Sequence, residues 1–233
     1  MPSRINDTID ESAVRKAPIF LGLDESAASS LRTSMTLVKL RKGQSLFKEG
    51  DDGDHLYVIS NGKVKLGTKS PDGRENLLMI LGPGDMFGEL SLFDSGPRTA
   101  TATAVTDSKL LSLGQSKVIP WVREHPEVSL HLLSRLASRL RRTNEVVGDL
   151  VFSDVPGRVA KALIDLGVKF GEQKPEGLHV SHDLTQEELA QLVGASRETV
   201  NKALADFAQR GWIRLEARSV VVLDYERLLK RGR

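Results

Sequence analysis

Between residues 18 and 125 the apolar positions fall in short runs separated by turn residues. Leu56-Tyr57-Val58-Ile59 leads into Asn61-Gly62 and then Val64-Lys65-Leu66. Asn-Gly between two such runs is a strong hairpin signal, since both residues tolerate the positive φ of a tight turn. Further on come the turn Pro71-Asp72-Gly73, the run Leu77 to Leu81, and the turn Gly82-Pro83-Gly84-Asp85. Ten of the 20 glycines lie between Gly43 and Gly96. Glycine that dense beside short strands predicts a small barrel or jelly roll. Strands at Thr101–Val105 and 110–113 would close it.

The period then changes. Leu133, Leu136, Leu140, Thr143, Val147 and Leu150 are spaced 3, 4, 3, 4 and 3 residues apart. This heptad seam predicts one long helix over 126–151. Such a seam either pairs with a second copy or packs on its own domain. Arg135, Arg139, Arg141 and Arg142 keep the other faces polar, which favours pairing. Beyond it, residues 154–233 read as a compact α/β tail. Asp154 is a candidate N-cap, with Pro156 in the first turn of a helix running toward Phe170. Residues 171–183 are polar and predict a loop holding at most a short strand.

In the tail, residues 184–211 read LTQEELAQLVGASRETVNKALADFAQRG. Thr185 with Glu188 three residues later forms a capping box that starts a helix. Leu189, Leu192 and Val193 give it an apolar face. Gly194-Ala195-Ser196 makes a turn, with Ser196 as a new N-cap. A second helix follows, with Val200, Leu204 and Phe207 on its buried side and Arg197, Glu198, Asn201 and Lys202 exposed. Two short helices joined by a glycine turn predict a helix-turn-helix. A helical hairpin with a solvated charged face has the same spacing. In the DNA-binding reading, the start of the second helix meets base edges, where arginine pairs with guanine and glutamate accepts from cytosine. Trp212 to Leu215 and Ser219 to Val222 read as a β-hairpin wing.

Composition narrows the classes. The 233 residues carry no cysteine, which excludes disulfides and thiolate-ligated clusters. Of the five histidines only His179 and His182 lie close together, so no metal is expected. No run of about 18 apolar residues exists to span a membrane. The N-terminus carries acids and no apolar stretch, so no secretory signal is expected and a cytoplasmic address fits. Residues 154–233 hold 13 basic and 12 acidic residues, so any DNA binding must come from placed side chains rather than bulk charge. No kinase loop, P-loop or nucleophile elbow is present, which argues against an enzyme.

A second constellation lies at 87–100, Phe-Gly-Glu-Leu-Ser-Leu-Phe-Asp-Ser-Gly-Pro-Arg-Thr-Ala. Gly88 lets a ligand approach the backbone. Residues 89–93 suit a short helix with free N–H groups for an anion. Arg98 supplies a donor fork for a phosphate, Thr99 a hydroxyl, and Glu89 an acceptor for a ribose hydroxyl. One acid beside one arginine is otherwise an ordinary surface ion pair.

Both constellations resemble those of one family. The string 193–200, VGASRETV, is similar to the helix-turn-helix signature of the Crp/Fnr family of cyclic AMP receptor proteins. GEL followed by RTA at this spacing resembles the phosphate-binding cassette of cyclic-nucleotide-binding domains. The strings PDGRENLL (71–78), GDMFGELSLFD (84–94), RLRRTN (139–144) and FSDVPGRVAK (152–161) are most similar to the actinobacterial, GlxR-type branch. The resemblance runs from about Ala17 to the wing.

It implies an α+β architecture. An N-terminal cyclic-nucleotide-binding jelly roll would occupy 17–125, a dimerisation helix and hinge 126–152, and a winged helix-turn-helix 153–233, after an extension at 1–16 with no feature to interpret. It also implies cyclic AMP as effector. Arg98 and Thr99 would hold the cyclic phosphate, Gly88 and Glu89 the ribose, with the backbone at Leu90 assisting. Thr143 and Asn144 would meet adenine, one from each subunit; Asn144 departs from the Thr-Ser pair of the best-known enterobacterial member. The implied DNA contacts are Ser196, Arg197, Glu198, Thr199, Asn201 and Lys202, on a palindrome like TGTGA-N6-TCACA. Double-stranded DNA and a second copy are the expected partners, and RNA polymerase a candidate one. The alternative is a DNA-binding regulator with weak coupling or another effector.

Overall fold

The computed structural model describes residues 8–232, in two compact units. One comprises the chain up to Thr68 with Leu78–Leu140, the other Lys69–Leu77 with the chain from Arg141.

The first unit begins with α1 (Glu11–Val14), a 3-10 turn (Pro18–Phe20) and α2 (Glu25–Thr33). Eight strands follow: β1 (Thr36–Leu40), β2 (Ser45–Phe47), β3 (His55–Asn61), β4 (Val64–Lys69), β5 (Glu75–Leu81), β6 (Met86–Phe87), β7 (Thr101–Ala104) and β8 (Ser108–Gly114). Between β6 and β7 lies α3 (Glu89–Phe93). The strands form two four-stranded sheets, β1-β8-β3-β6 and β2-β7-β4-β5. This is the expected jelly roll, but the Asn61-Gly62 turn, with Gly62 at φ 86°, does not close the expected hairpin: β3 lies between β8 and β6 in one sheet and β4 between β7 and β5 in the other, so both edges of each strand are taken and the turn is a corner between sheets.

Two apolar layers explain the pattern. Ile59, Leu110, Phe87, Leu66 and Ala102 meet between the sheets. Leu56, Val58, Leu111 and Leu113 point the other way, onto Ile19, Phe20, Leu31, Val118 and Val128. Strand β8 is therefore covered on both faces, which is why its residues from Ser108 to Leu113 are all buried and Leu110 and Leu111 stand side by side instead of alternating with polar positions. The outer layer needs helices that the 18–125 reading, mostly β, did not contain. Helix α2 starts on an Asp24 cap and buries only Ala28 and Leu31, too thin a stripe to show as a period. Helix α4 (Gln115–Glu124) buries only Val118 fully. Residues 8–16, uninterpretable in sequence, hold α1, whose Val14 is in the core.

Helix α5 (Pro126–Phe152) is the long helix expected over 126–151. Its seam is solvent-exposed: Leu133 is 61 % and Leu140 63 % accessible, and Val147 and Leu150 are likewise open.

In the second unit α6 (Val155–Phe170) starts as expected, with the Asp154 side chain accepting from the Gly157 N–H. The segment 171–183 differs from its reading as a loop. It forms a hairpin, β9 (Gly171–Lys174) and β10 (Gly177–Val180). Only Leu178 and Val180 are apolar there, and β9 is an exposed edge, so no alternation announces it. Next come α7 (Gln186–Val193), α8 (Arg197–Gln209), β11 (Ile213–Glu216), β12 (Ser219–Val222) and α9 (Tyr225–Arg231). The wing strands join the hairpin in the sheet β11-β12-β10-β9. Among the described residues, no helix is long and apolar enough to cross a membrane, and no group of acidic or histidine side chains could hold a metal ion.

Candidate ligand pocket and DNA-reading helix

The short β6 delivers Gly88 to the start of α3 at φ 84°, a left-handed conformation that favours glycine. A Cβ there would also lie 2.9 Å from the His55 carbonyl oxygen and 2.8 Å from Arg98 Nη1. The loop after α3 then brings Arg98 back beneath it. Phe47, Phe87, Gly88, Leu90, Arg98 and Thr99 line one recess. Four of the five pocket residues expected from this part of the sequence thus line it, Arg98 buried, Gly88 and Leu90 half-buried and Thr99 exposed; Glu89, buried between Gly88 and Leu90, is not in the lining.

Glu89 and Arg98 are each only 4 % accessible. Burying charges is costly unless they are paired and hydrogen-bonded. Arg98 Nη1 donates to the Gly88 carbonyl (2.9 Å) and Ser91 Oγ (3.1 Å), and Nη2 to the His55 carbonyl (2.8 Å). Its guanidinium lies 4.3 Å from the centre of the Phe47 ring. Of the five N–H donors of an arginine, three are thereby used, and Nε has no partner among the described residues. Glu89 accepts from Arg139 Nη1 at 2.8 Å through Oε1, while its buried Oε2 has no partner among the described residues. Nearby, burial pushes the Tyr57 phenol up, against the pull of Arg98. A hydrogen bond with His55 holds the Asp54 carboxyl below its usual range. Arg98 therefore keeps unused donors, a buried Nε–H among them, and Glu89 keeps a buried acceptor oxygen. That fits a ligand carrying an anion and a hydroxyl.

Arg139 was read only as part of the polar face of the long helix. In the structure it lines the recess and holds Glu89. No sequence signal pairs residues so far apart. Thr143 and Asn144 are exposed on the stretch of α5 that belongs to the second unit, whereas the other five pocket candidates belong to the first.

The second constellation is built around α7 and α8. Thr185 caps α7 with both halves of the capping box formed, and Gly194 ends it at φ 68°. Ser196 caps α8 by accepting from the Thr199 N–H, and the two hydroxyls are 2.8 Å apart. Val200, Leu204 and Phe207 are buried, as expected. Arg197, Glu198 and Lys202 are exposed, and Lys202 Nζ meets Glu198 Oε1 at 2.8 Å. Asn201 departs from the fully exposed reading. It is half-buried, and its Oδ1 is buried without a partner among the described residues. It stands one turn on from Arg197, toward the face that carries Val200 and Leu204. Arg158 of α6 steadies the whole element. It donates to the carbonyls of Ser153 (2.7 Å), Val193 (3.0 Å) and Gly194 (3.3 Å).

Comparison with known proteins assigns both regions. The profile of the cyclic nucleotide-binding domain matches residues 37–125, and that of the Crp-like helix-turn-helix domain residues 157–231. The chain is 55 % identical, over 96 % of its length and 100 % of the relative's, to the CRP-like cAMP-activated global transcriptional regulator of Mycobacterium tuberculosis. It is 36 % identical to the cyclic AMP receptor protein of Thermus thermophilus, over 91 % of this chain and 94 % of that one. The crystal structure of the Thermus thermophilus catabolite activator protein superposes with a TM-score of 0.54 at 34 % identity, covering 93 % of this chain and 98 % of that one.

Proposed function

The chain belongs to the Crp/Fnr family of transcription regulators, and on that premise we propose that it is a homodimer whose affinity for palindromic DNA is set by cyclic AMP. The observation that carries the effector is a pair of buried polar atoms without partners among the described residues, Arg98 Nε and Glu89 Oε2, the first on a residue that lines the recess and the second on the residue between its lining Gly88 and Leu90. Arg98 and Thr99 would take the cyclic phosphate, and Gly88, Glu89 and the Leu90 backbone the ribose. Arg139 would stay on Glu89 as its second partner. Thr143 and Asn144, both exposed on α5, would supply the adenine contacts, one from each subunit.

The exposed seam on α5 supports the dimer. A row of open leucines and valines at heptad spacing is stabilised by burial against a second copy. A two-fold dimer presents two α8 helices to half-sites one helical turn apart, as in TGTGA-N6-TCACA. Arg197 and Glu198 would read base edges, Lys202 a base or a phosphate, and Ser196 and Thr199 the backbone beside their cap. Cyclic AMP would act by favouring one of two arrangements of the dimer. We assign 17–125 to ligand, 126–152 to dimerisation and hinge, and 153–233 to DNA. The cytoplasm is the proposed site of action, and RNA polymerase a further partner.

The test is a mobility shift on that palindrome, with and without cyclic AMP, alongside titration calorimetry with cyclic AMP and cyclic GMP. Saturating cyclic AMP should lower the protein concentration needed for the shift. Binding to DNA with no heat from cyclic AMP would overturn the effector and keep the DNA reading.

A further inference from the structure

Gly53 lies in the loop between β2 and β3, and its φ is outside the left-handed region, so the backbone there does not require glycine. Space does. A Cβ at residue 53 would fall 2.1 Å from Ser91 Oγ, 2.5 Å from Ser91 Cβ and 3.1 Å from Arg98 Nε. None of these neighbours is free to retreat. The loop is tied to the arginine itself: Gly50 N–H donates to the Arg98 carbonyl and Arg98 N–H to the Asp51 carbonyl, both at 2.8 Å. The Asp51 side chain in turn accepts from Lys48 N–H at 2.7 Å. Ser91 is 3 % accessible, within α3. Its hydroxyl is the acceptor that holds Arg98 Nη1, between the Gly88 carbonyl and the Phe47 ring. Moving Ser91 therefore moves the guanidinium.

We propose that Gly53 and Ser91 are a size-matched pair that fixes the guanidinium of Arg98, which makes both of them positioning residues for the anionic group of the ligand. This rests on the cyclic AMP reading of the recess. The expectation is specific because two atoms of Ser91 stand in the way, not one. Removing the hydroxyl alone leaves the Cβ; only glycine at 91 clears the space.

The experiment is a double-mutant cycle read by cyclic AMP titration calorimetry and by thermal unfolding without ligand. Gly53→Ala should lower affinity roughly tenfold or more, the scale of a lost contact to a charged group. In the Ser91→Gly background, where only the 3.1 Å approach to Arg98 Nε remains, the same Gly53→Ala change should cost a small fraction of what it costs in the parent. In the Ser91→Ala background it should remain as damaging as in the parent. Ser91→Ala by itself should weaken binding about threefold while the melting temperature stays within roughly 2 °C of the parent, a split that a merely structural role does not produce. Parental affinity in Gly53→Ala, or an equal cost in the Ser91 and Ser91→Gly backgrounds, overturns the pairing even where Arg98→Ala abolishes binding. If the parent takes up no cyclic AMP, the effector reading has failed separately. The ligand-free melting temperatures must then still show Gly53→Ala rescued by Ser91→Gly and not by Ser91→Ala, and a different order overturns the pairing.

Discussion

Arg98 and Arg197, the two arginines proposed to meet the ligand and the DNA, are held in opposite ways. Arg98 is buried, stacked on Phe47 and bonded to two carbonyls and a hydroxyl. Arg197 is exposed at the first position of α8, and its neighbours Glu198 and Lys202 form an exposed ion pair with each other. The first arrangement meets its desolvation and side-chain entropy costs when the chain folds, so a small ligand of few contacts can still bind tightly. The second leaves those costs to the moment of binding. An exposed i,i+4 ion pair contributes a few tenths of a kcal/mol, so DNA can part Glu198 from Lys202 with little loss. A fixed pocket suits one ligand; a loosely paired face suits a regulator that must leave the wrong sequence quickly.

The contrast breaks most readily at Arg98. Arg98→Ala should cut cyclic AMP affinity at least tenfold, about 2–3 kcal/mol for a lost charge-assisted contact, and calorimetry checks it. It should also lower the melting temperature, because the Gly88 and His55 carbonyls lose their donor. At the other region an equally drastic truncation should leave folding alone. Glu198→Ala should relax preference at one base pair by roughly 1–3 kcal/mol of discrimination, with an unchanged melting temperature. A binding series over single-base variants of the palindrome decides it: an equal loss on every variant makes Glu198 a structural residue. Smaller still is Lys202→Ala. If Lys202 contacts a phosphate, all sequences should weaken alike and the slope of log affinity against log salt should drop by about one.

The smallest expected effect concerns acid. The bond from Arg231, then the Gly157 N–H, holds the Asp154 carboxyl below its ordinary 3.8. A depressed folded value stabilises the fold above the unfolded value, and that contribution disappears as pH falls through the lowered one. Asp154→Asn should therefore lower stability at neutral pH, where that contribution is fully present, and the gap from the parent should close below about pH 4, flattening the acid side of the stability profile. Urea titrations at several pH values measure it.

Local grammar made much of this legible. The Thr185–Glu188 capping box and the Ser196 cap are each written within four residues, and each formed as read; the Asn61-Gly62 turn is equally local, but its two strands went to different sheets, because strand pairing is decided by partners far along the chain. The expected pocket residues of the first unit came together because a short glycine-to-threonine stretch carries them all. Arg139, Ser91 and Gly53 were not legible, since each gains its meaning from a neighbour that only the folded sheets supply. The hairpin at 171–180 and helix α9 escaped for another reason. One edge of the hairpin is polar and solvated, and α9 fully buries only Leu228, so neither shows an apolar period. Asn201 was misjudged by treating one side of α8 as wholly open, when a position one turn from Arg197 grazes the packed side.

Arg158 gives the reading head a mechanical property. Its three bonds fasten the carbonyl before α6 to the two carbonyls that end α7. A side chain that grips both sides of a joint removes its slack. A torque delivered at Ser153 would thus be passed through these bonds to the end of α7, two residues before the Ser196 cap of α8. Cutting that linchpin with Arg158→Ala would leave each helix intact and the joint loose, so that force applied at one end is spent as play before it reaches the other.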